Sequence, residues 1–244
     1  MIVKEIKCGS VLSASKLPGI DYCINPYTGC GHGCRYCYAD FMRKYAKRPE
    51  AWGSFVDVKV NAPDVLRKQM RSMSEGTVYF SSVTDPYQPL ERKYELTRRC
   101  LGVLAGHGFS VSIQTKSALV LRDMDMIKGF KSIEVGFSIC MNDHDAARLE
   151  PGADPPSERI KALKNIHSKG VRTYVFLAPV IAGITDYPKI IEDTFKWADH
   201  YFIDRLNMRG CASRNMESPP KGYYDDVKNE ISFLLKGKPH TFCF

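Results

Sequence analysis

Ser132-Ile-Glu-Val-Gly-Phe-Ser-Ile-Cys140 is the stretch on which the fold turns. Val135, Phe137 and Ile139 alternate with Glu134, Gly136, Ser138 and Cys140. Successive side chains of a strand point to opposite faces, so one face of this run is apolar and the other polar. The same parity separates Phe109, Val111 and Ile113 from Ser110, Ser112 and Gln114. A parallel sheet covered by helices on both sides is apolar on both. One apolar and one polar face instead suit helices outside and a wet, ligand-holding cavity inside.

Working outward, β-rich apolar runs cover Tyr22–Tyr27, Thr77–Ser82, Phe109–Thr115, Ser132–Cys140, Val171–Ala178 and Tyr201–Leu206. Helical patterns separate the later runs. Asn61 is a candidate cap, with Pro63 in the first turn. Ser157 precedes Ile160, Leu163 and Ile166 on one face, and Gly170 ends that helix. Thr185-Asp-Tyr-Pro opens another, carrying Ile190, Ile191 and Phe195. Six strands alternating with helices predict an α/β chain with a parallel sheet, either doubly wound or an incomplete barrel. The strand parity favours an open, partial TIM barrel of about (β/α)6, with residues 1–244 as a single domain and short extensions at both ends. Chemistry in such folds sits where the strands end.

The longest apolar stretch, Val175 to Gly183, is too short for a bilayer and contains a proline. The first residues, Met1-Ile-Val-Lys-Glu-Ile-Lys, are charged where a secretory leader needs an apolar run, so a cytoplasmic protein with no membrane partner is expected. A net charge of +8 suits a polyanion such as nucleic acid, although the cations are spread along the chain and also fit a solvated basic surface.

Nine cysteines, an odd number, argue against a secreted disulfide framework and for metal binding in a reducing compartment. Three of them crowd into Asn25-Pro-Tyr-Thr-Gly-Cys30-Gly-His-Gly-Cys34-Arg-Tyr-Cys37-Tyr-Ala. Thiolates spaced this way can hold three corners of a 4Fe-4S cubane, and Gly29, Gly31 and Gly33 let the loop wrap closely. No fourth cysteine is local, so one iron is left open to an external ligand. The competing readings are a zinc site completed by His32 or a distant cysteine, and a structural cysteine loop; zinc motifs are commonly paired Cys-x-x-Cys units, and no second pair exists here.

At these residues the chain resembles the radical S-adenosylmethionine superfamily, whose signature is Cys-x3-Cys-x2-Cys with an aromatic before the last cysteine, here Tyr36. The resemblance extends through Phe80-Ser-Ser-Val-Thr-Asp-Pro-Tyr-Gln-Pro-Leu-Glu91, Leu149-Glu-Pro-Gly, Ser157-Glu-Arg-Ile and Ala178-Pro-Val-Ile-Ala-Gly-Ile-Thr-Asp186. These segments look like the branch related to spore photoproduct lyase, often labelled DNA repair photolyase-like, and the match covers roughly Cys23 to Leu206. It implies that Cys30, Cys34 and Cys37 hold a 4Fe-4S cluster whose open iron binds S-adenosylmethionine. Reductive cleavage then gives a 5′-deoxyadenosyl radical that abstracts hydrogen from a substrate, with an electron donor such as ferredoxin or flavodoxin.

The resemblance further implies Tyr36 near the adenine and Ser81, Ser82, Thr84 and Asp85 around the methionine ammonium. Ser138 would contact the ribose, Arg159 the methionine carboxylate, and Glu150 would position Arg159 or bind ribose. The Pro179–Gly183 turn, beginning with Pro179 and Val180, would offer backbone groups to adenine. Plainer readings stand beside these: Ser138 as a core serine, Arg159 as an exposed helix-start residue, and Asp85 as a turn initiator before Pro86.

One departure matters. Spore photoproduct lyase returns hydrogen from a cysteine three residues before the matching aspartate, where this chain has Ser82, and an alcohol O–H is too strong to replace a thiol S–H. Cys140 shares parity with Ser138 and is a candidate hydrogen donor or second-site ligand, or else a buried packing residue. Cys211 is another candidate donor. Cys8, Cys23, Cys100 and Cys243 are either ligands to a second cluster, for which their spacing gives no positive signal, or packing cysteines. Lys116 and Tyr87 are expected at the mouth, and Arg43, Lys44, Lys47 and Arg48 form a basic run that fits phosphate or a solvated helix face. The substrate is a nucleic acid or nucleotide-like molecule on this reading. The alternatives are the same chemistry on a peptide or metabolite, or a non-catalytic iron–sulfur or zinc protein.

Overall fold

Alternating runs become strands and the intervening helical patterns become helices in the computed structural model, which describes residues 1–208 and 216–244. Cys211 lies outside the described residues. The strands are β1 (Ile2–Ile6), β2 (Leu12–Ala14), β3 (Tyr22–Ile24), β4 (Tyr27–Thr28), β5 (Phe55–Lys59), β6 (Thr77–Phe80), β7 (Ser110–Thr115), β8 (Ile133–Ser138), β9 (Arg172–Val180), β10 (His200–Arg205) and β11 (His240–Phe242). The larger sheet has eight strands in the order β11-β10-β9-β8-β7-β6-β3-β2. From β3 through β11 every neighbouring pair is parallel, and β2 closes one edge antiparallel to β3. A smaller sheet has the order β1-β5-β4.

Strand order decides between the two architectures. A doubly wound sheet reverses direction at a switch point, sending helices to both faces. Here β3, β6, β7, β8, β9 and β10 follow one another without reversal. Right-handed crossovers repeated in one direction place their helices on one side. All six expected strands are present, and the sheet stays open because β2 and β11 are its two edges.

The parity expectation holds. Val111, Ile113, Val135, Phe137, Ile139, Val175 and Leu177 pack with Leu66, Leu101, Leu163, Ile166, Ile190 and Ile231 from the helices in one buried cluster. The opposite face carries a polar lattice. Tyr79 Oη donates to Gln114 Oε1 at 2.8 Å, Gln114 Nε2 donates to Ser138 Oγ at 3.0 Å, and Ser112 Oγ donates to Glu134 at 2.9 Å. Part of the interior is filled rather than wet: a Cβ on Gly136 would lie 2.0 Å from the Tyr174 ring, so glycine makes room for that ring across the strand pair.

Helix ends differ in detail from expectation. Asn61 does not cap helix Ala62–Gln69 with its side chain; its amide is taken by the backbone of Cys8, accepting from N at 2.8 Å and donating to O at 2.9 Å. Pro63 does sit in the first turn. Helix Pro156–Ser168 starts one residue before Ser157, whose N–H and hydroxyl both go to Asp143, and Gly170 follows its end at φ +78°. Asp186 caps helix Tyr187–Thr194 through Lys189 N at 3.0 Å. Phe195 falls after that helix and is exposed. Among the described residues no helix is long and apolar enough to cross a membrane.

Candidate active site

The cysteine loop leaves β4 and ends at the 3-10 turn Tyr38–Phe41. Gly29 adopts φ +88°, and a Cβ there would sit 2.4 Å from the carbonyl oxygen of Phe55. Only glycine allows the loop to pass so close to β5. On the other side Gly152 lies against the loop, where a Cβ would come within 2.2 Å of Gly31 O, and Gly152 N donates to His32 O at 3.0 Å. Cys30 and Cys34 are buried, Cys37 is half-buried, and all three are free thiols.

The segment after β6 braces this loop. Thr84 Oγ1 donates to Gly29 O at 2.6 Å. Gln88, fully buried, accepts from Gly31 N at 2.8 Å through Oε1 and donates through Nε2 to Thr84 Oγ1 at 3.1 Å and Gly29 O at 3.4 Å. Gln88 was not legible as a site residue; its one signal was its place in the Asp-Pro-Tyr-Gln segment. Asp85 is the hub. Its carboxylate accepts from Tyr87 N at 2.8 Å, Thr115 Oγ1 at 2.7 Å and Lys116 N at 2.8 Å, with His32 Nδ1 at 3.4 Å. Burial pushes this carboxyl up, but His32 and the hydrogen bonds outweigh burial and hold it at about 2. The turn reading of Asp85 is therefore seen, and the same carboxylate ties the end of β7 to the cysteine loop.

Ser81 follows β6 at φ +69°, a conformation costly for a non-glycine residue, and its buried Oγ has no hydrogen-bond partner. Ser82 Oγ accepts from Asn25 Nδ2 at 3.3 Å, and its carbonyl accepts from the Tyr38 hydroxyl. Tyr87 is wholly buried in the main core, so it does not line the mouth as expected.

A second constellation links the loop to β8 and the helices beyond. Tyr36 Oη donates to Glu150 Oε1 and lies 3.6 Å from Cys140 Sγ, which is itself 3.8 Å from Glu150 Oε1. Glu150 pairs through Oε2 with Arg159 Nη2, with both side chains wholly buried. Arg159 also donates from Nη1 to Ser138 O at 2.9 Å and from Nε to Asp154 O at 2.7 Å. Arg159 is thus no exposed helix-start residue. Burial raises the Glu150 carboxyl, but Arg159 and Lys116 overcome it and keep the group below its ordinary range. Lys116 Nζ stands 5.8 Å from the centre of the Tyr36 ring. Burial and the Glu150 charge push the Cys140 thiol up to about 12, so it carries its proton at neutral pH.

Pro179 and Val180 belong to β9; the turn begins one residue later, at Ile181, whose carbonyl accepts from Ile184 N and Thr185 N. Val180 O accepts from Tyr224 Oη at 3.1 Å. Of the remaining cysteines, Cys100 is in the core, Cys8 packs against it, Cys23 is in β3 and Cys243 is exposed. Among the described residues no three His, Cys, Asp or Glu side chains converge as the shell of a single metal ion would.

The three cysteines fit a cubane better than a lone ion. They are free and lie on one tightly held loop; burial first, and also the neighbouring Cys37, hold the Cys30 and Cys34 thiols above their ordinary range, and Cys30 adds to the effect at Cys34. At Cys30 the backbone hydrogen bonds of His32 and Asp85 work against the larger effect of burial and favour the thiolate. Hydrogen bonds of that kind stabilise thiolate sulfur in iron–sulfur sites.

Comparison with known proteins agrees with this chemistry. Residues 24–198 match the model of the Radical SAM superfamily. An uncharacterised protein of Methanocaldococcus jannaschii is 37% identical over 94% of this chain and 88% of its own length. A protein of Pseudomonas phage M6 named radical SAM Nalpha-GlyT isomerase is 27% identical over 75% of this chain and 42% of its own length. A mutant spore photoproduct lyase with bound AdoMet and dinucleoside spore photoproduct superimposes with a TM-score of 0.76, covering 99% of this chain and 81% of that one at 13% identity, a likeness of fold.

Proposed function

From the premise that the chain belongs to the radical SAM superfamily and is an enzyme of that kind, we propose that it holds a 4Fe-4S cluster on Cys30, Cys34 and Cys37 and acts on a nucleic acid or nucleotide-like substrate. When bound together, the cluster and S-adenosylmethionine supply a carbon radical able to remove hydrogen from an unactivated C–H bond. The observation that carries the reading is the braced loop: three free thiols between β4 and Tyr38, fixed by Thr84 and Gln88, beside a strained Ser81 with an unpaired buried hydroxyl.

In this reading the protein's own groups bind and orient. Ser81, Ser82, Thr84 and Asp85 line the methionine end, and Tyr36 and Ser138 face the nucleoside end. Glu150 and Arg159 hold Tyr36 and the end of β8 in place, and Pro179 and Val180 offer backbone on the far side. Cys140 keeps its S–H and is the hydrogen donor within the site. An electron donor such as ferredoxin or flavodoxin supplies the reducing electron. The nucleic-acid assignment is supported by the net charge of +8 and by the dinucleoside spore photoproduct named with the spore photoproduct lyase structure.

The test is anaerobic reconstitution with iron and sulfide, followed by strong reductant and S-adenosylmethionine. Iron uptake and release of 5′-deoxyadenosine are expected, and both are lost in Cys30→Ala, Cys34→Ala and Cys37→Ala. A chain that takes up one zinc and no iron, or releases no 5′-deoxyadenosine, refutes the proposal.

A further inference from the structure

Directly after Cys37 the chain makes the 3-10 turn Tyr38–Phe41 and a single turn of α-helix, Met42–Tyr45. Tyr38, Phe41 and Tyr45 are 51%, 40% and 77% exposed. Residues three apart eclipse on a 3-10 turn and residues four apart neighbour on an α turn, so the spacing of Tyr38, Phe41 and Tyr45 sets them along one side of the segment. Phe41 and Tyr45 touch edge to face at 5.8 Å. Large aromatics left in water on one ridge are unusual unless something covers them.

The basic run on the same segment divides in two. Arg43 is used internally, donating to Pro49 O at 2.9 Å, and Arg48 is neutralised by Asp57 and Glu50. Lys44 and Lys47 are exposed, and no described carboxylate pairs with either. The ridge begins at the site, since Tyr38 is bonded to the carbonyl of Ser82. Exposed aromatic faces interleaved with unpaired cations are how proteins hold single-stranded nucleic acid: bases stack on rings while phosphates meet lysine.

We propose that Tyr38, Phe41 and Tyr45, with Lys44 and Lys47, form a stacking ridge that leads an unpaired nucleic-acid strand to the cysteine loop. The inference deepens the nucleic-acid reading above and rests on it. An acidic electron-transfer protein is the competing occupant, but it would use the charges and have no need of three ring faces in a row.

The experiment is fluorescence anisotropy of the full chain with a fluorescein-labelled single-stranded oligonucleotide, its RNA counterpart and the matching duplex, over a salt series. Single strands are expected to bind more tightly than duplex. Phe41→Ala and Tyr45→Ala each weaken that binding about 5- to 150-fold, the range for losing one base-stacking ring. Lys44→Gln and Lys47→Gln each flatten the logarithmic salt slope by about 0.7. Far-UV circular dichroism checks folding, which truncation of so exposed a ring as Tyr45 should leave intact. No single-strand binding by the parent chain, or unchanged binding by Tyr45→Ala, overturns the proposal. So does a ridge whose loss abolishes flavodoxin binding and leaves oligonucleotide binding alone. Binding requires no turnover: loss of affinity on Tyr45→Ala supports the ridge even if 5′-deoxyadenosine is never formed, and that second result would count against the catalytic reading alone.

Discussion

Replacing Arg159 with methionine leaves the Glu150 carboxylate wholly buried without its main counter-charge. The guanidinium also satisfies the carbonyls of Ser138 and Asp154, so three acceptors lose a donor at once. Removing one member of a buried ion pair typically costs about 3–5 kcal/mol, because the partner stays charged in a poorly solvating interior. Lys116 still faces Glu150 and Tyr36 still donates to it, which argues for the lower half of that range. Against a total stability of about 5–15 kcal/mol the loss is large. At roughly 2–4 °C per kcal/mol for a chain of this length, a loss of about 3–4 kcal/mol lowers the melting temperature by about 6–16 °C.

Neutralising the partner should recover much of this. In the double variant Glu150→Gln/Arg159→Met the glutamine still accepts from Tyr36 but no longer buries a charge. Urea unfolding of the cluster-free chain, followed by circular dichroism under reductant, measures all four members of the cycle. A coupling of at least about 1 kcal/mol is expected, the double variant being less damaged than the sum of the singles. Additive losses, or a loss below about 1 kcal/mol for Arg159→Met, would refute the view that this pair anchors Tyr36 and the cysteine loop to β8.

Three further perturbations probe the loop and its braces. Gly152→Ala drives a Cβ to 2.2 Å from the backbone oxygen of Gly31, a contact no side-chain rotation relieves, so reconstituted protein should retain less iron than the parent while keeping its helix content by circular dichroism. Gln88→Leu strands the Gly31 N–H and is expected to cost about 1–3 kcal/mol in urea unfolding. Ser81→Gly relieves a left-handed conformation worth about 1–2 kcal/mol, offset by about 0.5–1 kcal/mol of added unfolded-chain freedom. The apo chain should therefore be no less stable, while equilibrium dialysis should show weaker S-adenosylmethionine binding.

The cysteine triplet and the strand parity were legible because both are local. Thiol spacing over eight residues and alternation along Ser132–Cys140 need no knowledge of distant contacts. The parity even distinguished the helix-covered face from the inner one, where Ser138 and Gln114 meet. Asn61 stands at the N-cap as read, but its side chain does not close the cap, because capping and long-range bonding use the same amide and Cys8 took it. Tyr87 and Lys116 both lie on segments that follow strands, yet one is in the core and the other beside Tyr36; a tyrosine suits either environment.

By itself the sequence determined the parallel α/β alternation and the grouping of three cysteines on one loop, both properties of neighbours along the chain. Only the tertiary structure decided that the strand order runs without reversal, that Arg159 is spent on Glu150, and that Gln88 grips the cysteine loop. Those outcomes depend on which distant groups win a limited set of hydrogen bonds and charges once the chain is buried, and no local pattern records that competition.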